Sequence, residues 1–208
     1  MKLIVITPSK EIENEHDLLG KMLDMGLNSL HVRKPKLSSN DLKVYLNKFS
    51  KSQQKKIIIH THHKLFWNIE LKGIHISKQH RKKKIKFFIF KTKLQLRRGN
   101  YVLGTSSSSV DSLDEAYNDF DYVMISPIFT SPHGHQPNFN PTTLKRLIPN
   151  YPDKVIARGG ATIDSIHKAK EIGFSGIAFH QYIWNNPEPL VTFQKIVERF
   201  HELGLAIE

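Results

Sequence analysis

The sequence predicts a single (β/α)₈ barrel of the TIM type, an α/β fold occupying residues 1–208 as one domain. Three observations carry that prediction. Short, strongly apolar runs alternate with helical periods along the whole chain, the pattern of a parallel sheet covered on both faces. Eight such units are present, which suits closure into a barrel; an open flavodoxin-like sheet would leave about three units over. A length of 208 residues is near the lower limit for a complete barrel, and no linker, repeat or low-complexity stretch marks a second domain.

The elements follow in order. Residues 3–6 read as the first strand. Leu18, Leu19, Met22 and Leu23 give the next helix one apolar face, and Gly26 suits its C-terminal cap. Ser29–Val32 is the second strand. Ser38 is placed to cap a helix carrying Leu42, Tyr45, Leu46 and Phe49 at helical spacing. Ile57–Ile59 is the third strand, followed by a short helix over Leu65, Phe66 and Ile69, and Gly73–Ile76 is the fourth. The fifth spans 101–103 and ends in Gly104-Thr105-Ser106, and a helix with Val110, Leu113, Ala116 and Tyr117 comes next. Tyr122–Ile125 is strand six, Leu144 and Leu147 mark a helix, and 155–157 is strand seven. Thr162 is the expected cap of a helix holding Ile166 and Ala169, with Gly173 just beyond it. Gly176–Phe179 is strand eight, and the last helix carries Val191, Ile196, Val197 and Phe200.

The formal charge of +12 favours anionic partners, although many solvated lysines alone would produce it. With no cysteine, disulfides, thiolate metal sites and cysteine nucleophiles are excluded. The five apolar residues before Thr7-Pro8 are too few for a signal-peptide core, and the apolar run at 87–90 cannot span a bilayer. A cytoplasmic location with no membrane partner is the expectation. The stretch 78–98 holds ten Lys/Arg, no acidic residue, and Phe87, Phe88 and Phe90. That composition fits a nucleic-acid surface. It equally fits an element packing on the barrel exterior with lysines in water, and no nucleic-acid module is recognisable, so nucleic acid is not an expected partner.

In such barrels the working groups sit where each strand ends. Those positions hold Thr7, Arg33, His60, His75, Ser106, Ser126, Gly159-Gly160 and His180. Arg33 directly follows a buried run, an expensive place for an uncompensated charge, so it is read as facing a ligand. Gly159 and Gly160 follow strand seven, where barrels commonly seat a phosphate on backbone N–H groups. The loop 126–140 is long for its kind and offers Ser131, His133 and His135 as binding groups. Twelve histidines invite a metal reading, but without cysteine or a firm carboxylate partner no metal site is assigned.

Nearly end to end, the chain resembles the thiamine phosphate synthase/TenI family. The resemblance rests on Leu30-His31-Val32-Arg33-Lys34, Ile57-Ile58-Ile59-His60, Gly73-Ile74-His75-Ile76, Gly104-Thr105-Ser106, Asp121-Tyr122, Ser126-Pro127-Ile128-Phe129 and Ala157-Arg158-Gly159-Gly160. It implies the barrel independently. It also implies a thiamine-related enzyme in which Mg²⁺ and basic groups assist pyrophosphate departure while a thiazole phosphate captures the resulting cation.

Residue by residue, the resemblance assigns Arg33 and Ser106 to substrate, Gly159 and Gly160 to the thiazole phosphate, and His180 and Gln181 to the loop after strand eight. The family's Gln-Leu-Arg-Glu-Lys falls on 31–35, leaving Pro35 at the lysine, with Lys34 and Lys36 beside it as substitutes. Its two Mg²⁺-binding carboxylates fall on Thr61 and His80, and its lid pattern Thr-x-Thr-Lys falls on 131–134. The expectation is therefore a TenI-like thiazole tautomerase that binds thiazole phosphate at the strand-seven and strand-eight loops. No cofactor is expected, and Mg²⁺ would be needed only if synthase activity persists. Histidine suits proton transfer near neutral pH, and His133, His31 and His60 are the acid–base candidates. A functional synthase and a non-catalytic phosphometabolite binder stand as alternatives, and a homodimer is left open.

Overall fold

The computed structural model describes residues 1–8, 10–82, 84–95, 100–130 and 136–208, without the side chains of residues 82, 84–87 and 95. Eight parallel strands, β1 (Lys2–Ile6), β2 (Ser29–Val32), β3 (Ile57–Ile59), β4 (Gly73–Ile76), β5 (Val102–Ser107), β6 (Tyr122–Ile125), β7 (Val155–Arg158) and β8 (Gly176–Phe179), close on one another in sequence order. The helices between them are α1 (Glu15–Asp24), α2 (Ser39–Asn47), α3 (Lys51–Gln54), α4 (Lys78–Lys82), α5 (Lys84–Gln95), α6 (Val110–Tyr117), α7 (Pro141–Leu147), α8 (Ser165–Ile172), α9 (Gln181–Trp184) and α10 (Pro189–Glu202). None of the described helices is long and apolar enough to cross a membrane.

Each strand alternates strictly between two cores, because successive side chains leave opposite faces of a strand. Leu3, Val5, Leu30, Val32, Ile57, Ile59, Ile74, Ile76, Val123 and Ile125 face outward and pack with the helices in one large core. Their neighbours Ile4, Ile6, Ile58, Tyr122, Met124, Ile156 and Ala178 face the barrel axis in a second, smaller one. The same parity carries His31, His60, His75, Arg158 and His180 inward, toward the C-terminal ends of their strands. The inside of the barrel is thus aliphatic at its base and polar at its mouth.

Most element boundaries match the expectation, and the departures have local causes. Ser38 caps α2 through its hydroxyl, which accepts from the Asp41 N–H at 3.2 Å. Gly173 ends α8 in the left-handed region at φ 92°. Thr162 does not cap α8: the cap position is Asp164, and the Thr162 N–H instead donates to Ser165 Oγ. Phe49 lies past the end of α2 yet stays in the core. β5 runs to Ser107 because it pairs along its length with β4 and β6, which places Ser106 inside the strand. The segment over Leu65 and Phe66 is a 3-10 turn, His63–Trp67. The basic stretch forms α4 and α5, with Leu94 in the core and Phe88 and Ile89 in solvent.

A buried ion pair secures the segment after β2. Lys34 Nζ lies 2.6 Å from Glu15 Oε2, and the Tyr45 hydroxyl donates to Glu15 Oε1 at 2.6 Å. Burial, reinforced by the Glu15 charge, pushes the Tyr45 phenol far above its ordinary pKa. Lys34 is therefore committed to α1 and does not replace the lysine that the family resemblance places at 35.

Candidate active site

Three inward histidines, one from each of β2, β3 and β4, meet on the barrel axis. His31 Nδ1 lies 3.0 Å from His60 Nε2, and the His60 and His75 rings stack with centroids 4.2 Å apart and planes 15° from parallel. His75 Nδ1 is 2.9 Å from the Tyr122 hydroxyl, and its Nε2 is 2.9 Å from Ser106 Oγ. The phenol is the better acid of the first pair, so we assign Tyr122 as donor to Nδ1. His75 Nε2–H then donates to Ser106 Oγ, which leaves the serine proton free for a ligand. Tyr122 fits only because residue 104 is glycine: a Cβ there would stand 1.8 Å from the tyrosine Cζ.

The tautomers of the other pair follow from what surrounds them. His31 Nε2 is buried with no hydrogen-bond partner, and a buried orphan donor is rarer and costlier than a buried orphan acceptor. We therefore assign the proton to His31 Nδ1, which donates to His60 Nε2 and leaves His60 Nδ1 as the protonated nitrogen. All three rings are neutral at pH 7. Burial, then the neighbouring histidines and arginines, holds His31 and His60 well below the ordinary imidazole value, and burial lowers His75 to about 3.

Ligand nitrogens of His31, His60 and His75 all lie within 4.8 Å of one another. Nearly parallel stacked rings cannot aim in-plane lone pairs at one ion, and tetrahedral Zn²⁺ would need nitrogens about 3.4 Å apart. The rings would have to turn out of their present hydrogen bonds to bind it. The fit to Mg²⁺ is no better. Thr61 and His80 stand where the resemblance places carboxylates, and His80 is exposed, with Ser77 Oγ 2.8 Å from its Nδ1. A hydroxyl and an imidazole are poor substitutes for the hard carboxylate oxygens that hold Mg²⁺.

A cavity of about 450 Å³ opens over the ends of β7 and β8, lined among others by Arg158, Gly159, Gly160, Thr162, His180 and Gln181. No carboxylate is among its described lining residues. Gly159 and Gly160 have φ of 87° and 69°, and a Cβ on Gly160 would lie 2.2 Å from the Phe129 carbonyl oxygen. Their close approach is thus to the loop after β6 as well as to the cavity, and Phe129 N–H donates to the Gly159 carbonyl at 3.0 Å.

Of the residues expected from sequence, the structure gathers Gly159, Gly160, His180 and Gln181 around this cavity. Arg33 stands at the neighbouring mouth, its backbone N–H donating to Thr7 Oγ1 at 2.9 Å. Its charge depresses the pKa of both Arg158 and His180, in each case after burial. Ser106 joins His75. His31 and His60 lie inside the barrel at 0% and 9% exposure, and neither is among the described lining residues of this cavity. Ser131, His133 and His135 lie outside the described residues. Sequence reasoning passed over Arg158 and Tyr122. The period-two parity that places Ile156 and Met124 inward would have found both.

The family model described as thiamine monophosphate synthase matches residues 3–183. Among solved structures, thiamine phosphate pyrophosphorylase from Bacteroides thetaiotaomicron superposes with a TM-score of 0.79 at 22% identity, covering 97% of this chain and 98% of that one. The thiamine phosphate pyrophosphorylase from Pyrococcus furiosus gives 0.74 at 15% identity, covering 97% and 96%. (S)-3-O-geranylgeranylglyceryl phosphate synthase from Thermoplasma acidophilum gives 0.66 at 13%, covering 97% and 93%. At these identities the superpositions establish the barrel. No curated protein matches the chain in sequence.

Proposed function

The chain belongs to the thiamine monophosphate synthase family, and from that premise we propose that it binds thiazole phosphate, or a similar phosphorylated metabolite, at the loops after β7 and β8. The observation that carries this reading is the cavity over Gly159 and Gly160, whose described lining is basic or neutral throughout. Anions are held in such mouths by backbone N–H groups and polar side chains, and no carboxylate stands there to repel them.

The chemistry proposed is TenI-like proton transfer on the bound ligand, with Mg²⁺ not used. His60, whose Nε2 accepts from His31, presents only its Nδ1–H. It and the Ser106 hydroxyl set by His75 act as hydrogen-bond donors that stabilise charge developing on the ligand, while water in the mouth takes up and returns the transferred proton. Whether His60 reaches the ligand separates this from a non-catalytic binder, a second reading favoured by the 0% exposure of His31 and 9% exposure of His60.

Calorimetry with thiazole phosphate tests binding, and deuterium exchange into the thiazole tests proton transfer. Binding with exchange that His60→Asn abolishes supports the tautomerase reading. Binding without exchange supports the passive binder, and no binding refutes both. Thiamine phosphate formed from both synthase substrates with Mg²⁺ would restore the synthase alternative.

A further inference from the structure

We propose that helix α5 docks this protein on an anionic lipid surface, where Phe88 and Ile89 enter the headgroup layer and the lysines of the 78–98 stretch supply the attraction. This surface lies outside the barrel, apart from the ligand reading of its mouth.

The helical period divides α5 into two faces. Phe90 and Leu94, four residues apart, turn toward the barrel. Leu94 is fully buried, and Phe90 packs on the core with its ring 6.4 Å from that of Trp67. Lys91 is paired with Asp119 at 2.5 Å. The other face carries Phe88, Ile89, Thr92 and Lys93, all exposed. Phe88 is 70% exposed and Ile89 50%. The helix is thus already anchored through its inner face, and two large apolar side chains stand together in water on the outer one. Adjacent exposed apolar groups rimmed by charge mark a contact surface.

Charge identifies what covers it. Residues 78–98 contain ten Lys/Arg and no acidic residue, in a chain of formal charge +12. The partner is therefore anionic and also accepts bare apolar side chains. An anionic bilayer does both, because a basic helix lies in the interface plane with its aromatic and aliphatic groups at the acyl boundary and its lysines among the headgroups. A second copy presenting the same helix would set like charges together. Nucleic acid would satisfy the lysines, but Ile89 has no ring on which a base can stack. The expectation of no membrane partner rested on the lack of a spanning segment, and docking on the surface needs none: α5 has 12 residues.

Cosedimentation of the full chain with lipid vesicles tests the inference. The wild type should pellet with vesicles of equal parts phosphatidylcholine and phosphatidylglycerol, stay in solution with phosphatidylcholine alone, and be released by salt. The double variant Phe88→Ser, Ile89→Ser should bind roughly ten-fold or more weakly, through loss of two apolar side chains from the interface. Lys93→Glu should weaken binding by roughly five- to thirty-fold, the effect of one to two unit charges near the surface. Both variants should melt as the wild type does, since all three positions are exposed. Phe88→Trp, which keeps an aromatic side chain, should add fluorescence that moves to shorter wavelength on the mixed vesicles.

No binding to the mixed vesicles overturns the inference. Binding that the double serine variant retains, or Phe88→Trp emission that does not move, reduces it to adsorption of a cationic protein and overturns it as well. A double serine variant that melts lower makes Phe88 and Ile89 structural, with the same result. Duplex DNA bound more tightly than the mixed vesicles, and lost in Lys93→Glu, would assign the face to nucleic acid instead.

Discussion

His31 Nδ1 donates to His60 Nε2 across 3.0 Å of the barrel axis, and this bond decides which His60 nitrogen carries a proton. His60→Asn should lower proton exchange on thiazole phosphate by about 10²- to 10³-fold, the usual contribution of one positioned hydrogen-bond donor to developing charge. His31→Leu, which keeps volume but removes the orienting donor, should lower the turnover rate by about 10- to 100-fold with little change in KM. Wild-type exchange in His60→Asn would remove His60 from the reaction.

Stability should fall as the solution is acidified below about pH 6.5, the ordinary imidazole value. Burial lowers His75 to about 3 and both His63 and His180 to about 4. These rings are neutral in the fold but protonate once the chain unfolds. Their stabilisation is complete above the unfolded pKa and is lost as pH falls toward the folded values, at up to about 1.4 kcal/mol per pH unit for each ring. Urea unfolding from pH 7.5 to 4.5 reads the slope, and His75→Gln should make it shallower. A flat profile would contradict the buried, neutral assignment.

Glu15→Gln should destabilise the fold by about 3–5 kcal/mol, because Lys34 would be left charged and buried at 3% exposure. The double variant Glu15→Leu, Lys34→Met should recover much of that loss. Denaturant midpoints of both variants measure it, and a single variant as stable as wild type would show that Lys34 escapes to water.

Gly104→Ala should cost about 1–3 kcal/mol and displace Tyr122, since the added methyl overlaps its ring. Loss of the Tyr122–His75 bond would appear as a shifted His75 ring signal in NMR. An unperturbed His75 resonance would mean that the ring can shift without breaking the bond.

Gly160→Ala should weaken phosphate binding and lower the melting temperature together. Alanine is strained at φ 69°, by about 1–3 kcal/mol, and its Cβ strikes the Phe129 carbonyl. Binding retained at wild-type strength would detach Gly160 from the phosphate reading.

Much of the fold was legible because a parallel barrel writes itself locally. Outward residues such as Leu30, Val32, Ile57 and Ile59 must be apolar to meet the helices, so each strand shows as a compact run. Caps at Ser38 and Gly173 were readable for the same local reason. Thr162 misled because Thr162 and Ser165 bond to each other and the cap position passes to Asp164. The glycines after β7 were read as clearance for a ligand, yet the backbone of Phe129 is what a Cβ on Gly160 would meet.

By itself, the sequence determined the order and placement of the eight strands, the polar character of their C-terminal ends, and the absence of carboxylates at Thr61 and His80, where the family resemblance places Mg²⁺ ligands. Tertiary structure alone decided that His31, His60 and His75 converge and that Lys34 turns away to Glu15. It also decided that Arg158 ends β7 in the lining of the cavity, with no carboxylate ion pair to it among the described residues. The physical reason is range. Strand periodicity and capping depend on neighbours a few residues away, whereas these contacts join side chains from different strands and helices. Their geometry is set by closure of the barrel.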